Sequence, residues 1–172
     1  TTHGDEHWTL AGILEQSSNV GMIIAAEKMS NEQRYEFISK FGIGQDNGLG
    51  LPGEADGLLY SADQWDLRTQ NTVLFGQAYT TNALQLTNAV AVIANKGVKK
   101  PQRIIKAISD AEGHSEEQKP EGEATRVIDE QVASQVMNAM ESVSDHYSQF
   151  VKVDGYRVAA KSGTAEVAGA DG

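Results

Sequence analysis

The sequence predicts a mixed α/β chain in which helices dominate and the strands are few and short. Three observations lead there. Apolar residues recur at three- and four-residue spacing in successive segments, the period of an amphipathic helix. Ser, Thr or Asp stands where most of those segments begin, and Gly stands where two of them stop. The β-branched clusters at 103–108, 127–128 and 156–167 are short and scattered among them.

Taken in order, 9–16 places Leu10, Ile13 and Leu14 on one helical face, with Thr9 as its cap. Ser17-Ser18-Asn19 breaks the pattern, because these side chains bond nearby backbone and favour caps and turns. Residues 20–29 read as a second, largely buried helix in which Gly21 permits close approach. Ser30 with Gln33 is a capping-box pattern for a third helix over 31–41, closed by Gly42. The stretch 42–57 is rich in Gly, Asp, Asn and Pro and reads as a loop, and 61–68 holds a short helical turn. A strong helix is expected over 81–95 from Leu84, Leu86, Val90, Val92 and Ile93, ending at Gly97. Residues 103–108 and 127–128 read as strands, and the acidic 110–124 between them as an exposed loop. Asp129 caps a helix to about 143, with Val132, Val136, Met137 and Met140 on one face. The last segment, 156–167, reads as a strand.

At 172 residues the chain is long enough for one domain with a real core. Its hydrophobic fraction of 40% is that of an ordinary folded protein. A formal net charge of −10 argues against nucleic acid or an anionic membrane surface as main partner, since phosphate is repelled. The local cluster Lys99-Lys100-Pro101-Gln102-Arg103 reads as a solvated loop edge. There is no cysteine, hence no disulfide, thiolate nucleophile or cysteine zinc site. No apolar run approaches the roughly 18 residues of a membrane span. The chain lacks a starting Met and a signal peptide and is read as a piece of a longer protein.

Three patterns imitate functional motifs. Gly48-Leu49-Gly50-Leu51-Pro52-Gly53 matches G-x-G-x-x-G, but it follows a helix and Pro52 removes a backbone donor that a pyrophosphate would need. His3 and His7 have the spacing of a helical metal pair, yet Gly4 and the chain end disfavour a helix there. Asp63 and Asp66 beside Trp65 suggest paired carboxylates for sugar chemistry, although their spacing of three suits a solvated helical face. No metal or cofactor is expected.

Two motifs remain. Ser17-Ser18-Asn19 is an S-x-N sequence at a helix junction, and Lys161-Ser162-Gly163-Thr164 is a K-[ST]-G sequence on the expected strand. Each alone is weak. Ser17 to Asn19 could be only a helix cap, and Lys161 to Thr164 only a strand end. Together and in this order they resemble the penicillin-recognising acyltransferases, whose set is S-x-x-K, S-x-N and K-T-G. The flanks Glu15-Gln16-Ser17-Ser18-Asn19-Val20-Gly21, Gly76-Gln77, Thr81-Asn82-Ala83-Leu84-Gln85-Leu86 and 155–166 look like the class B penicillin-binding proteins, over nearly the whole chain.

That resemblance implies an α/β parent fold, an antiparallel sheet flanked by helices beside a helical subdomain, of which 1–172 would be a partial transpeptidase domain. It implies acyl transfer from a peptide ending in D-Ala-D-Ala, with β-lactams as mimics. In that family Ser17 would pass a proton to the leaving nitrogen, and Asn19 would hydrogen-bond the substrate amide. Lys161 would set a positive charge beside Ser17 and the substrate carboxylate. Ser162 and Thr164 would offer hydroxyls to that carboxylate, and the Thr164 N–H would be half of the oxyanion hole. Gly163 would leave room for the peptide to pair as an added strand. It further implies a membrane-anchored parent on the outer face of the bacterial plasma membrane, with cell-wall or division proteins as partners.

One departure matters. No serine here has Lys three residues later, so the S-x-x-K nucleophile is not in this sequence. The isolated chain is therefore expected not to react with penicillin. Alternatives from other classes are an inactive interaction module on the same fold, and a serine β-lactamase or D,D-carboxypeptidase.

Overall fold

Thr9 opens the first helix as its side chain predicts: Oγ1 accepts from the Gly12 N–H at 3.1 Å. In the computed structural model, which describes residues 6–50 and 52–164, seven α-helices and four strands follow in chain order. They are α1 (Leu10–Glu15), α2 (Asn19–Ala25), α3 (Asn31–Lys40), α4 (Thr69–Thr72), α5 (Ala83–Ala94), β1 (Val98–Lys99), β2 (Ala107–Ser109), β3 (Ser115–Glu117), β4 (Thr125–Arg126), α6 (Glu130–His146) and α7 (Ser148–Val151). Short 3₁₀ turns at Ala62–Gln64 and Val73–Phe75 flank α4. The chain divides into two units, Thr1–Phe37 with Tyr60–Tyr79 and Ser134–Gly172, and Ile38–Leu59 with Thr80–Ala133.

In the first unit, α1 and α2 form a tight pair. A Cβ on Gly21 would lie 2.9 Å from Ile13 Cγ1 and 3.1 Å from Ser18 Oγ, so only glycine allows this approach. The expected capping box opens α3: Ser30 Oγ accepts from Gln33 N–H at 3.2 Å, and Gln33 Oε1 accepts from Ser30 N–H at 2.8 Å. One turn on, Arg34 is buried, with no carboxylate beside it among the described residues. Its guanidinium donates to the Gln70 carbonyl at 2.7 Å and the Ala26 carbonyl at 3.0 Å, tying α4 to the end of α2. Met140, Val143 and Ser144 of α6 are buried at the three- and four-residue spacing of a helix face.

In the second unit the loop 42–57 is held by side chains at the start of α5, among them Asn82, whose Nδ2 donates to the Ala55 carbonyl at 2.7 Å. Gln85, 1% exposed, donates through Nε2 to the carbonyls of Gln45 and Asp56, each at 2.6 Å. Its Oε1 accepts from Thr81 Oγ1 at 2.8 Å and from the Asn82 N–H at 3.3 Å, closing a capping box with Asn82 at the start of α5. Every hydrogen-bonding position of the buried amide is used. Val92 and Ile43 supply the apolar part of this unit's core. β1 pairs antiparallel with β4, Val98 opposite Arg126, and β2 with β3, Ile108 opposite Glu116.

Several expectations are corrected. The second helix ends at Ala25, none of its residues is buried, and Val20 and Ile24 are exposed. The expected strand at 103–108 starts later, at Ala107, and that at 127–128 lies earlier, at Thr125–Arg126. The acidic loop contains β3, which alternation could not reveal because both faces of the β2–β3 hairpin are exposed. On α6 the buried stripe runs through Ala133, whereas Val132 is 42% exposed. The helix continues to His146, beyond the expected end near 143. Residues 156–164 form no ladder, so they are not a strand. The only main-chain tie from 157–160 among the described residues is the Ala160 N–H on the Met140 carbonyl at 3.3 Å. Residues 165–167 lie outside the described residues.

Candidate active site

Ser17 sits where α1 stops. The Ser18 N–H bonds the Ile13 carbonyl at 3.0 Å and the Ser17 N–H bonds the Leu14 carbonyl at 3.2 Å, the paired bonds of a Schellman C-cap. That motif places Ser17 in the left-handed region, with φ 52°, where glycine is usual. A side chain there costs about 1–2 kcal/mol. Ser18 follows as N-cap of α2, its Oγ accepting from Gly21 N–H at 3.1 Å. The strained turn thus holds Ser17 out to solvent, with Asn19 exposed at the first position of α2. Because the strain belongs to the Cβ, Ser17→Gly should be more stable than Ser17→Ala by about 1 kcal/mol in denaturant unfolding. Equal stabilities would remove the claim of strain.

Lys161 arrives from the far end of the sequence. Arg157 anchors the approach through a salt bridge to Glu141 on α6 at 2.7 Å, and Ala160 adds its main-chain bond to Met140. The Lys161 ammonium then donates to Ser17 Oγ at 2.5 Å and to the Ser162 carbonyl at 2.8 Å, with Ser162 Oγ at 3.4 Å. Burial holds its pKa below the usual lysine range. Two motifs separated by 144 residues therefore meet through a charge-assisted hydrogen bond.

Around this contact lies an open cleft of about 1100 Å³. Ser17, Ser18 and Asn19 form one side and the segment 161–164 another, while Asp66, Phe75 and Gln77 also line it. Gly163 has no heavy atom within 4 Å of where a Cβ would stand and no positive φ, so nothing among the described residues requires glycine there. The space beside it is room for a ligand. Ser162 and Thr164 are exposed on the same segment. Gln77, quoted above only for its place beside Gly76, donates Nε2 to the Thr164 carbonyl at 3.1 Å.

The imitating patterns behave differently. Gly48, Gly50 and Gly53 have positive φ in a turn-rich stretch without the strand and helix of a dinucleotide site. Asp66 accepts from the Thr69 N–H at 2.7 Å at the start of α4, and this backbone bond keeps its carboxyl below the usual range. Asp63 is exposed in the preceding 3₁₀ turn. His3 lies outside the described residues and His7 is exposed.

The model of the penicillin binding protein transpeptidase domain matches residues 1–172. The chain belongs to that family. Among curated relatives, it is 36% identical to penicillin-binding protein PbpB of Mycolicibacterium smegmatis over 95% of its length, and 34% identical to peptidoglycan D,D-transpeptidase FtsI of Escherichia coli over 95%. These are class B penicillin-binding proteins. The chain spans about a quarter of them, 26% in each case. Among solved structures, a peptidoglycan synthetase from Bifidobacterium adolescentis superposes with TM-score 0.93 at 74% identity, over all of this chain and 32% of that one. Penicillin binding protein 3 from Mycobacterium tuberculosis, complexed with aztreonam, matches with TM-score 0.77 at 34% identity, over 91% of this chain and 34% of that one. The α/β family fold expected from the two motifs is thus shown, with this part of it mainly helical.

Proposed function

We propose that this chain is the part of a peptidoglycan D,D-transpeptidase domain that supplies the supporting walls of the active site, with the nucleophilic serine on polypeptide outside 1–172. The observation that carries the reading is the 2.5 Å contact between Lys161 Nζ and Ser17 Oγ at an open cleft. The external serine attacks the penultimate D-Ala carbonyl of a stem peptide, the carbon–nitrogen bond breaks, and an acyl-enzyme and free D-alanine result. Ser17, polarised by Lys161, relays the proton that the leaving nitrogen takes up. An amine of a second stem peptide then attacks the ester, returning the proton through the same hydroxyl and closing the cross-link.

Asn19 orients the substrate amide from the N-terminus of α2. Lys161 with the Ser162 and Thr164 hydroxyls binds the terminal carboxylate, and the Thr164 N–H stabilises the oxyanion. Gly163 leaves the edge of the segment open for main-chain pairing. A β-lactam takes the same place and leaves a long-lived acyl group. The whole protein would work on the outer face of the plasma membrane, held by an anchor and by partners of wall synthesis or division.

The test is intact-mass spectrometry after incubation with a β-lactam, on this chain and on the full-length polypeptide that carries it. An adduct is expected on the full-length protein alone. Absence from both would favour a non-catalytic module of the same fold, and rapid turnover without a lasting adduct would favour a lactamase.

A further inference from the structure

We propose that Gln77 is a positioning residue that fixes the Lys161-Ser162-Gly163-Thr164 segment in the cleft through the Thr164 carbonyl, an inference that rests on the transpeptidase reading above. Its side-chain amide donates to that carbonyl at 3.1 Å across 87 residues of sequence. The segment needs such a tie. It forms no ladder, and its carbonyls at Ser162 and Thr164 are met by side chains, Lys161 and Gln77 respectively.

The backbone around Gln77 is built for placement. Gly76 (φ 89°) and Ala78 (φ 63°) are both left-handed, and the Gln77 N–H is fixed on the Thr72 carbonyl at 3.0 Å. Among the described residues only Ser17, Ala78 and Lys96 are non-glycine residues with positive φ, and the first two line this cleft. Backbone strain of this kind persists where surrounding structure over-determines it, and it gathers at functional sites. Ser17 has the motif hydroxyl to explain it. Ala78 has no polar side chain, and what its conformation achieves is to aim the neighbouring Gln77.

The chemistry suits a brace. A glutamine amide carries no charge to disturb Lys161, and it occupies one lone pair of the carbonyl. The second lone pair stays open to accept from the backbone N–H of a substrate lying along the segment as an added strand. Holding this carbonyl restricts rotation at Thr164, whose N–H has to point at the developing oxyanion. Gln77 itself touches no reacting atom in this scheme.

The experiment uses the full-length protein with Gln77→Met, which keeps length and loses the donor, and Gln77→Glu, which sets a carboxylate against the carbonyl. Stopped-flow labelling with a fluorescent penicillin separates non-covalent affinity from the acylation rate constant. A displacement of the reacting geometry by an ångström costs about a hundredfold. The acylation constant is therefore expected to fall about ten- to a hundredfold in both variants, a larger loss than that in non-covalent affinity, with melting temperature nearly unchanged. Acylation as fast as wild type, faster, or slowed only in step with lost stability would overturn the role of Gln77. If Gln77→Met fails to fold, Gln77→Asn decides, being neutral and one methylene too short to reach the Thr164 carbonyl. A wild-type protein that takes no label would instead sink the transpeptidase reading, which keeps the two failures apart.

Discussion

Lys161→Met in the full-length protein is expected to slow acylation by a β-lactam on the order of a hundred- to a thousandfold, the loss seen when one preorganised group is removed from an acyl-transfer site. The ammonium is the only group seen on Ser17 Oγ among the described residues, and it also faces the space for a substrate carboxylate. Methionine keeps the chain length and removes both functions. The stability consequence has the opposite character. Burial lowers the folded pKa of Lys161 below its unfolded value, so the folded state binds fewer protons in the window between the two. The charged form is thus a cost to folding at neutral pH, relieved as pH rises through that window. Methionine removes that cost together with the bonds to Ser17 and Ser162, so the melting temperature should change little while acylation collapses. A loss of acylation matched by a loss of folding would mean that Lys161 is structural.

Gln85→Leu is expected to destabilise the second unit by about 2–3 kcal/mol, because the carbonyls of Gln45 and Asp56 lose their shared donor and the α5 cap loses its reciprocal bond. Natural domains have only about 5–15 kcal/mol to lose, so the effect should dominate denaturant unfolding. Leucine is apolar and of similar size, so hydrophobic burial alone would predict little change. A shift under about 1 kcal/mol would show that water replaces the amide without loss.

That residue also marks the limit of what the sequence disclosed. In an apolar run, Gln85 reads as an interruption, because nothing local announces the carbonyls of Gln45 and Asp56 that it serves. Arg34 is hidden for the same reason: its partners, Ala26 and Gln70, are backbone atoms without a side-chain signature. Caps were readable because they are local. Thr9, Ser18 and the Ser30–Gln33 box each act within three residues and stand where the pattern places a helix start. Over 156–164 the expected strand failed on a non-local requirement, since β-branched residues favour extension but a ladder needs a neighbour. The motifs Ser17-Ser18-Asn19 and Lys161-Ser162-Gly163-Thr164 could be named in sequence, but their meeting is a property of the fold. Gln77 was visible beside Gly76, whereas its reach to Thr164 spans most of the chain.

The central claim is that 1–172 forms the walls of an acyl-transfer site whose nucleophile lies elsewhere. Its most direct test is the position of the acyl group, found by digesting the β-lactam-treated full-length protein and sequencing the labelled peptide by mass spectrometry. The account predicts the label on the serine of an S-x-x-K sequence outside 1–172, with Ser17 and Ser162 unmodified. A label on Ser17, Ser162 or any other serine within 1–172 would contradict it.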